Sequence, residues 1–237
     1  MAKSDSLSPR AQRKRDARTQ TIIETAEKII VDEGLDALTI HRLARTLDYA
    51  PGALYRYFDS KEKLISELSC RAIQRIHDRL KLIEERVDKR GKSPSLLSLV
   101  RLLESANMYS ALIETDPATH RLVGSLLGDP KHILNEKEAE RVHSETVPVL
   151  MSFTKLIQDA EETGALQKGP ANERAVAFWA GLQGIVQLRK MVHHATILQS
   201  LVDPEKIADR FVYDLLIGWG ADESLLSTAH KAAAENT

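Results

Sequence analysis

The chain has 237 residues, 43% of them hydrophobic, 28% charged and 5% aromatic, and a formal net charge of −1. That apolar content supports a buried core and excludes wholesale disorder, and no run approaches the ~18 consecutive apolar residues of a membrane span. The single cysteine, Cys70, excludes both an internal disulfide and a cysteine metal cage.

The near-zero charge conceals an asymmetry. Residues 1–20 carry six basic groups (Lys3, Arg10, Arg13, Lys14, Arg15, Arg18) against Asp5 and Asp16, leaving an acidic remainder. A basic N-terminal arm suits contact with phosphates, although such tails also serve solubility alone. The first residues hold no apolar signal-peptide core, so the expected location is cytoplasmic.

Helical periodicity runs through almost the whole chain. From about Arg18 to Glu33, Ile22, Ile23, Ala26, Ile29 and Ile30 recur on one face, and Gly34 stands where a C-cap needs positive φ. Thr39 is a fitting N-cap for a short helix over about 40–47, whose Leu43, Ala44 and Leu47 point inward. Pro51 suits the first turn of a third helix, and Ser60 caps a long fourth. That fourth helix carries the stripe Leu64, Leu68, Ala72, Ile76, Leu80, Ile83, Val87.

Further helices are predicted near 95–114, 117–127, 136–164, 171–193 and 204–219, with a kink or break at Pro148. The alanine-rich end, 230–237, is expected to fray. No strand-like alternation persists, so the predicted class is all-α with about nine helices. The expected organisation is a flexible basic arm (1–17), a helical head (18–63), a larger helical body (64–229) and the frayed tail.

Residues 39–57 combine helix, short turn and helix directly after a longer scaffold helix. That arrangement can lay the second short helix in a DNA major groove. Gly52 and Ala53 keep its front free of bulk, while Thr39, His41, Arg42, Arg45, Tyr55, Arg56, Tyr57 and Lys61 supply hydroxyl and cationic groups for phosphates and bases. Read by periodicity alone, Tyr55 and Tyr57 serve equally well as packing residues.

The segments from Thr39-Ile40-His41-Arg42-Leu43-Ala44 and from Tyr49-Ala50-Pro51-Gly52-Ala53-Leu54-Tyr55-Arg56-Tyr57-Phe58 to Asp59-Ser60-Lys61-Glu62-Lys63-Leu64 resemble the DNA-binding segment of the tetracycline-repressor (TetR/AcrR) family. The resemblance covers about 18–66. It implies a homodimeric transcriptional regulator, usually a repressor that a small molecule releases from operator DNA. By position, Thr39 caps helix two and meets a phosphate, and His41 stands where a base can be read. Ala50, Pro51 and Gly52 begin the recognition helix, Tyr55 and Tyr57 brace the backbone, and Lys61 holds a phosphate. Two positions depart from the family pattern: Asp48 replaces a common Gly and Ala50 a common Ser.

The resemblance also makes the helices over 171–193 and 204–219 the halves of an intermolecular four-helix bundle. Its expected interface is Ala177, Phe178, Gly181, Leu182, Gly184, Ile185, Phe211, Leu215 and Trp219, although most of these also read as intramolecular core. The resemblance further makes 18–63 a helix-turn-helix DNA-binding head and 64–229 a ligand-binding and dimerisation body. An effector cavity is expected among the helices of 64–165. Candidate lining residues are Leu99, Leu102, Leu103, Met108, Tyr109 and Leu112, with Leu126, Leu127, Leu150, Phe153 and Ile157. This inventory favours a hydrophobic effector, though each residue also reads as ordinary core.

No nucleophile elbow, phosphate-binding loop or His-Glu-x-x-His motif occurs. Adjacent His193 and His194 diverge by about 100° around a helix, and His120, His132 and His143 lack an i, i+4 ligand partner. No catalytic residue, metal site, cofactor or membrane partner is expected. The rival readings are a helical ligand-binding protein that never touches DNA and a small-molecule enzyme.

Overall fold

Ser8-Pro9 opens the first helix nine residues earlier than apolar periodicity predicts. In the computed structural model, which describes residues 8–88, 93–128, 133–193 and 203–235, α1 spans Pro9–Glu33. The Ser8 hydroxyl accepts from the Ala11 amide, and Pro9 occupies a first-turn position where its missing N–H is no loss. The first turns bury nothing, so no apolar stripe marks them, but Ala, Arg, Gln and Lys are good helix formers. The expected flexible arm is therefore helical from residue 9, and residues 1–7 lie outside the described ones.

Ten more α-helices follow among the described residues: α2 Ile40–Thr46, α3 Pro51–Leu54, α4 Lys61–Asp88, α5 Pro94–Ser110, α6 Leu112–Thr115, α7 Pro117–Gly128, α8 Glu136–Glu162, α9 Ala171–His193, α10 Pro204–Gly218 and α11 Glu223–Ala234. The class is all-α, as predicted. The predicted helix over 95–114 is divided at Ala111, which gives α5 and α6. α8 runs through Pro148 without a break in helical assignment.

The expected frayed tail is instead helical to residue 234. Asp222 caps α11 by accepting from the Leu225 amide at 2.9 Å, and Leu226, Ala229, Ala232 and Ala233 are buried. α11 packs against α5, where the small alanines allow two helices to approach closely. The Asp222 cap and the helical spacing of Leu226, Ala229 and Ala233 are the sequence signals for this helix.

The chain forms two compact units, one from residues up to 72 with 117–142 and the other from 73–116 with 143 onward. In place of a boundary at 63/64, α4 and α8 each contribute residues to both units. The first unit buries Ile22, Ile23, Ala26 and Ile30 of α1 with Leu43, Leu54, Phe58, Leu64 and Leu68. The second buries Leu99, Leu102, Phe153, Ile157, Phe178 and Leu216. Phe153 and Phe178 meet with ring centroids 5.9 Å apart and tilted planes.

Two turns shape the first unit. Gly34 adopts φ +92° and donates its N–H to Ile30, which ends α1 as predicted. After α2, Asp48 has φ +55°. Its N–H reaches the Arg45 carbonyl and the Tyr49 N–H reaches Ala44 at 2.8 Å, the pairing of a Schellman helix end. Asp tolerates this left-handed backbone at a cost that Gly avoids. Asp48→Gly is thus expected to stabilise the protein by about 0.5–1 kcal/mol. A urea midpoint that rises at constant m-value would show it; a lower midpoint would mean the Asp48 side chain itself supports the turn.

Candidate nucleic-acid interface

The short reading element is held from behind and open in front. Thr39 caps α2, its hydroxyl accepting from the Arg42 amide at 3.1 Å. Leu43 and Ala44 anchor α2 in the core, while Leu54 and Phe58 anchor the end of α3 and the turn after it. Pro51 begins α3 after Ala50, which provides no side-chain cap. On the outer surface, Gly52, Tyr55 and Arg56 are exposed, and Pro51, Ala53 and Tyr57 are partly so. Nothing lies within 4 Å of where a Cβ on Gly52 would stand.

The polar residues anticipated for this surface divide into two groups. Thr39, His41 and Arg45 are exposed on α2. Lys61, half-buried at the start of α4, lies beside the Ser60 cap, whose hydroxyl accepts from the Lys63 amide at 3.1 Å. The Glu62 carboxyl is held below its ordinary range by its own backbone N–H, the Ser60 hydroxyl and neighbouring Lys61. Arg42 differs from the others because its guanidinium is committed to Glu33 at the end of α1. It fastens α2 to α1 before it can serve as a phosphate ligand.

Arg15 was counted in the sequence only as part of a basic arm. The structure places its guanidinium 3.4 Å from the Arg56 carbonyl, directly behind the α3 turn. Arg10, Arg13, Lys14 and Arg18 are exposed on the same helical stretch. The i, i+4, i+8 spacing of Arg10, Lys14 and Arg18 could have shown that the charges form one helix face.

A polar network braces the same unit. Arg141 donates to Glu67 at 2.5 Å and to Ser66 at 3.3 Å, and Arg71 joins Glu67 to Gln20. Lys63 faces the buried Glu138 at 3.6 Å. Burial alone would raise the Glu67 pKa, but hydrogen bonds from Arg141 and Arg71 outweigh it and hold the carboxyl ionised below its ordinary value. The Cys70 thiol is buried nearby on α4.

In the second unit the anticipated lining residues are mostly packed core. Leu99, Leu102, Tyr109, Leu112, Phe153 and Ile157 are buried, while Leu150 is half-buried. Leu126 belongs to the first unit, and the Leu127 side chain lies outside the described ones. Tyr109 donates to Gln183 at 2.6 Å and accepts from the Trp179 indole at 3.1 Å; burial pushes its phenol up to about 12. Met108 lines a groove of 720 Å³ with Leu82, Ile83, Arg86 and Glu104, and Leu103 lines a separate cavity of 520 Å³.

The anticipated dimer residues also separate. Phe178, Leu182 and Ile185 are buried within their own protomer. Trp219 lies under the Arg174 guanidinium, 5.3 Å from it, and Phe211 closes over Gly181. Ala177 and Gly184 remain exposed, together with Val176, Ala180 and Ile217. Of the histidines, His132 and His194 and the side chain of His193 lie outside the described residues; His120 is buried and His143 exposed. Among the described residues no helix is long and apolar enough to cross a membrane.

A short helix presented on a three-helix head, with cations and hydroxyls around an unobstructed front, defines the helix-turn-helix class of DNA-binding protein. Residues 22–68 match the profile of the bacterial regulatory proteins of the tetR family. The match lies in the helix-turn-helix head, which is similar to that of these DNA-binding transcriptional regulators.

Solved structures repeat the fold. A bacterial regulatory protein in the tetR family from Rhodococcus RHA1 is 18% identical, over 86% of this chain and 98% of its own, with a TM-score of 0.63. The transcriptional regulator FadR from Bacillus subtilis, solved in complex with stearoyl-CoA, is 14% identical over 83% and 97% with a TM-score of 0.61. The fatty acid degradation regulator FadR from Bacillus halodurans is 16% identical over 86% and 97% with a TM-score of 0.64. At these identities the likeness concerns the fold. No curated protein matches the chain.

Proposed function

We propose that the protein is a homodimeric, cytoplasmic repressor that a hydrophobic small molecule releases from operator DNA. The observation that carries the reading is the open front of α3, where exposed Gly52, Tyr55 and Arg56 are flanked by Thr39, His41, Arg45, Ala50, Pro51, Tyr57 and Lys61. Backbone and small side chains there can approach base edges, while the cations and hydroxyls fix register on phosphates. Arg42 supports α2 through Glu33, and Arg15 adds charge behind the turn.

Dimerisation is supported by an apolar stripe of small residues on α9. Val176 is 45% exposed, and Ala177, Ala180 and Gly184 continue its face. On α10, Ile217 is exposed and Leu215 half-buried. A second copy covering these residues would set two reading heads for two half-sites about 34–36 Å apart. The effector region is supported by the 720 Å³ groove, whose lining includes Leu82, Ile83 and Met108. The stearoyl-CoA bound by the Bacillus subtilis FadR makes a long-chain acyl thioester the first compound to try. Such a ligand shifts DNA binding only by favouring one of two conformations, with about 1–3 kcal/mol of coupling typical.

The experiment is a gel shift on DNA flanking the protein's own coding region, with and without palmitoyl-CoA, alongside variants. Lys61→Ala is expected to weaken binding to all sequences and to reduce the salt slope by about 1. His41→Ala is expected to change preference at particular bases. Normal binding by Lys61→Ala at every salt concentration would remove the phosphate role, and no shift with any flanking fragment would defeat the regulator's proposed target.

A further inference from the structure

The second unit contains a 520 Å³ cavity lined by α5, α6, α9, α10 and α11, adjoining the groove considered above for a hydrophobic effector. Its walls mix apolar residues, Leu103, Ala106, Val212 and Ala233 among them, with polar ones that include the exposed Asp209. Into this lining the chain places one permanent cation, Arg189 of α9. The Arg189 side chain is only 15% exposed. One arm of its guanidinium donates to the Ser110 carbonyl at 2.7 Å and the other to the Glu114 carboxylate at 2.8 Å.

The two partners are held very differently. The Ser110 carbonyl ends α5 and cannot leave, so it fixes the guanidinium plane. Glu114 sits on the four-residue α6 and its side chain is 59% exposed, so water can take the carboxylate at little cost. A buried arginine keeps its charge at any working pH and needs an anion beside it. Its fork matches a carboxylate with two parallel N–H···O bonds. Asn107 and His230, also in the lining, offer further polar contacts.

We infer that this cavity is a binding site for an organic monocarboxylate, which displaces the exposed Glu114 from Arg189 and lays its apolar part against α5, α10 and α11. The volume falls in the range of small-molecule sites, about 300–1,000 Å³. The site shares Asn107 and Ala111 with the groove beside Leu82 and Met108, and α11, whose Ala233 and Ala234 form part of its wall, completes it.

Isothermal titration of the full chain with octanoate, and with octanamide as its neutral counterpart, tests the assignment. Octanoate is expected to bind and the amide to bind at least tenfold more weakly. Glu114→Gln removes the internal competitor and is expected to tighten octanoate binding several-fold. Arg189→Met is expected to weaken it at least tenfold. Equal binding of acid and amide, no binding of octanoate, or unchanged or weaker binding in Glu114→Gln would overturn the proposal. Because Glu114 lies at the surface, its variant keeps the test decisive even where Arg189→Met fails to fold.

Discussion

Gly52→Leu is expected to leave the fold intact and to lower DNA affinity at least 100-fold, about 3 kcal/mol. The position is exposed, in the first turn of α3, with no heavy atom near the site of a new Cβ. Leucine is a better helix former than glycine by up to about 1 kcal/mol, so thermal stability should hold or rise. Bound to DNA, however, the added side chain would fill the space through which α3 approaches the base edges. Circular dichroism melting and a gel shift on the same preparation separate the two effects. A variant that folds and still binds with wild-type affinity would show that another surface meets the duplex.

Gly181→Ala is expected to destabilise the protein by roughly 1–3 kcal/mol, the usual range for overpacking. A Cβ at Gly181 would come within 2.0 Å of the Phe211 ring, well inside any allowed contact. The ring is large and lies on α10, so relief requires the two helices to part or the ring to leave. Phe211→Ala should lose its own packing, but in that background Gly181→Ala should cost much less. Urea unfolding of the four proteins in a double-mutant cycle measures this difference. Additive effects would mean that the ring is not what demands glycine.

Gly181 and Phe211 also show why part of the body was misread in the sequence. The family resemblance places both in an intermolecular seam, although their small and large apolar side chains read as well as intramolecular core. The structure uses them to pack α9 on α10 within one protomer. Phe178, Leu182 and Ile185 follow the same rule. Helical periodicity marks which face is apolar, but an apolar face reads alike whether its own chain or a second copy covers it. The stripe through Val176, Ala177, Ala180 and Gly184 could be separated from the core only by its exposure.

The head was legible because its signals are local. Thr39 and Ser60 act as N-caps, Gly34 closes α1, and Asp48 adopts the left-handed conformation that its place in the turn requires. Each depends on atoms a few residues apart, so residue type and spacing suffice. The first turns of α1 escaped because Arg, Gln and Ala give no apolar stripe there, although they are good helix formers, and α11 because its alanine-rich end was read as a fraying tail despite the Asp222 cap. Arg42 was offered only as a cation for phosphates or bases because its partner Glu33 stands nine positions earlier, across a turn.

By itself, then, the amino-acid order determined the all-helical class, the caps and turn of the reading head, and the family whose DNA-binding segment that head resembles. Only the tertiary structure decided which cations are already paired, which apolar faces remain open, and where space is left beside Arg189. Helix formation and capping depend on neighbours along the chain, whereas burial, charge pairing and cavity shape depend on residues brought together from tens of positions away, and one helical period is compatible with many such arrangements.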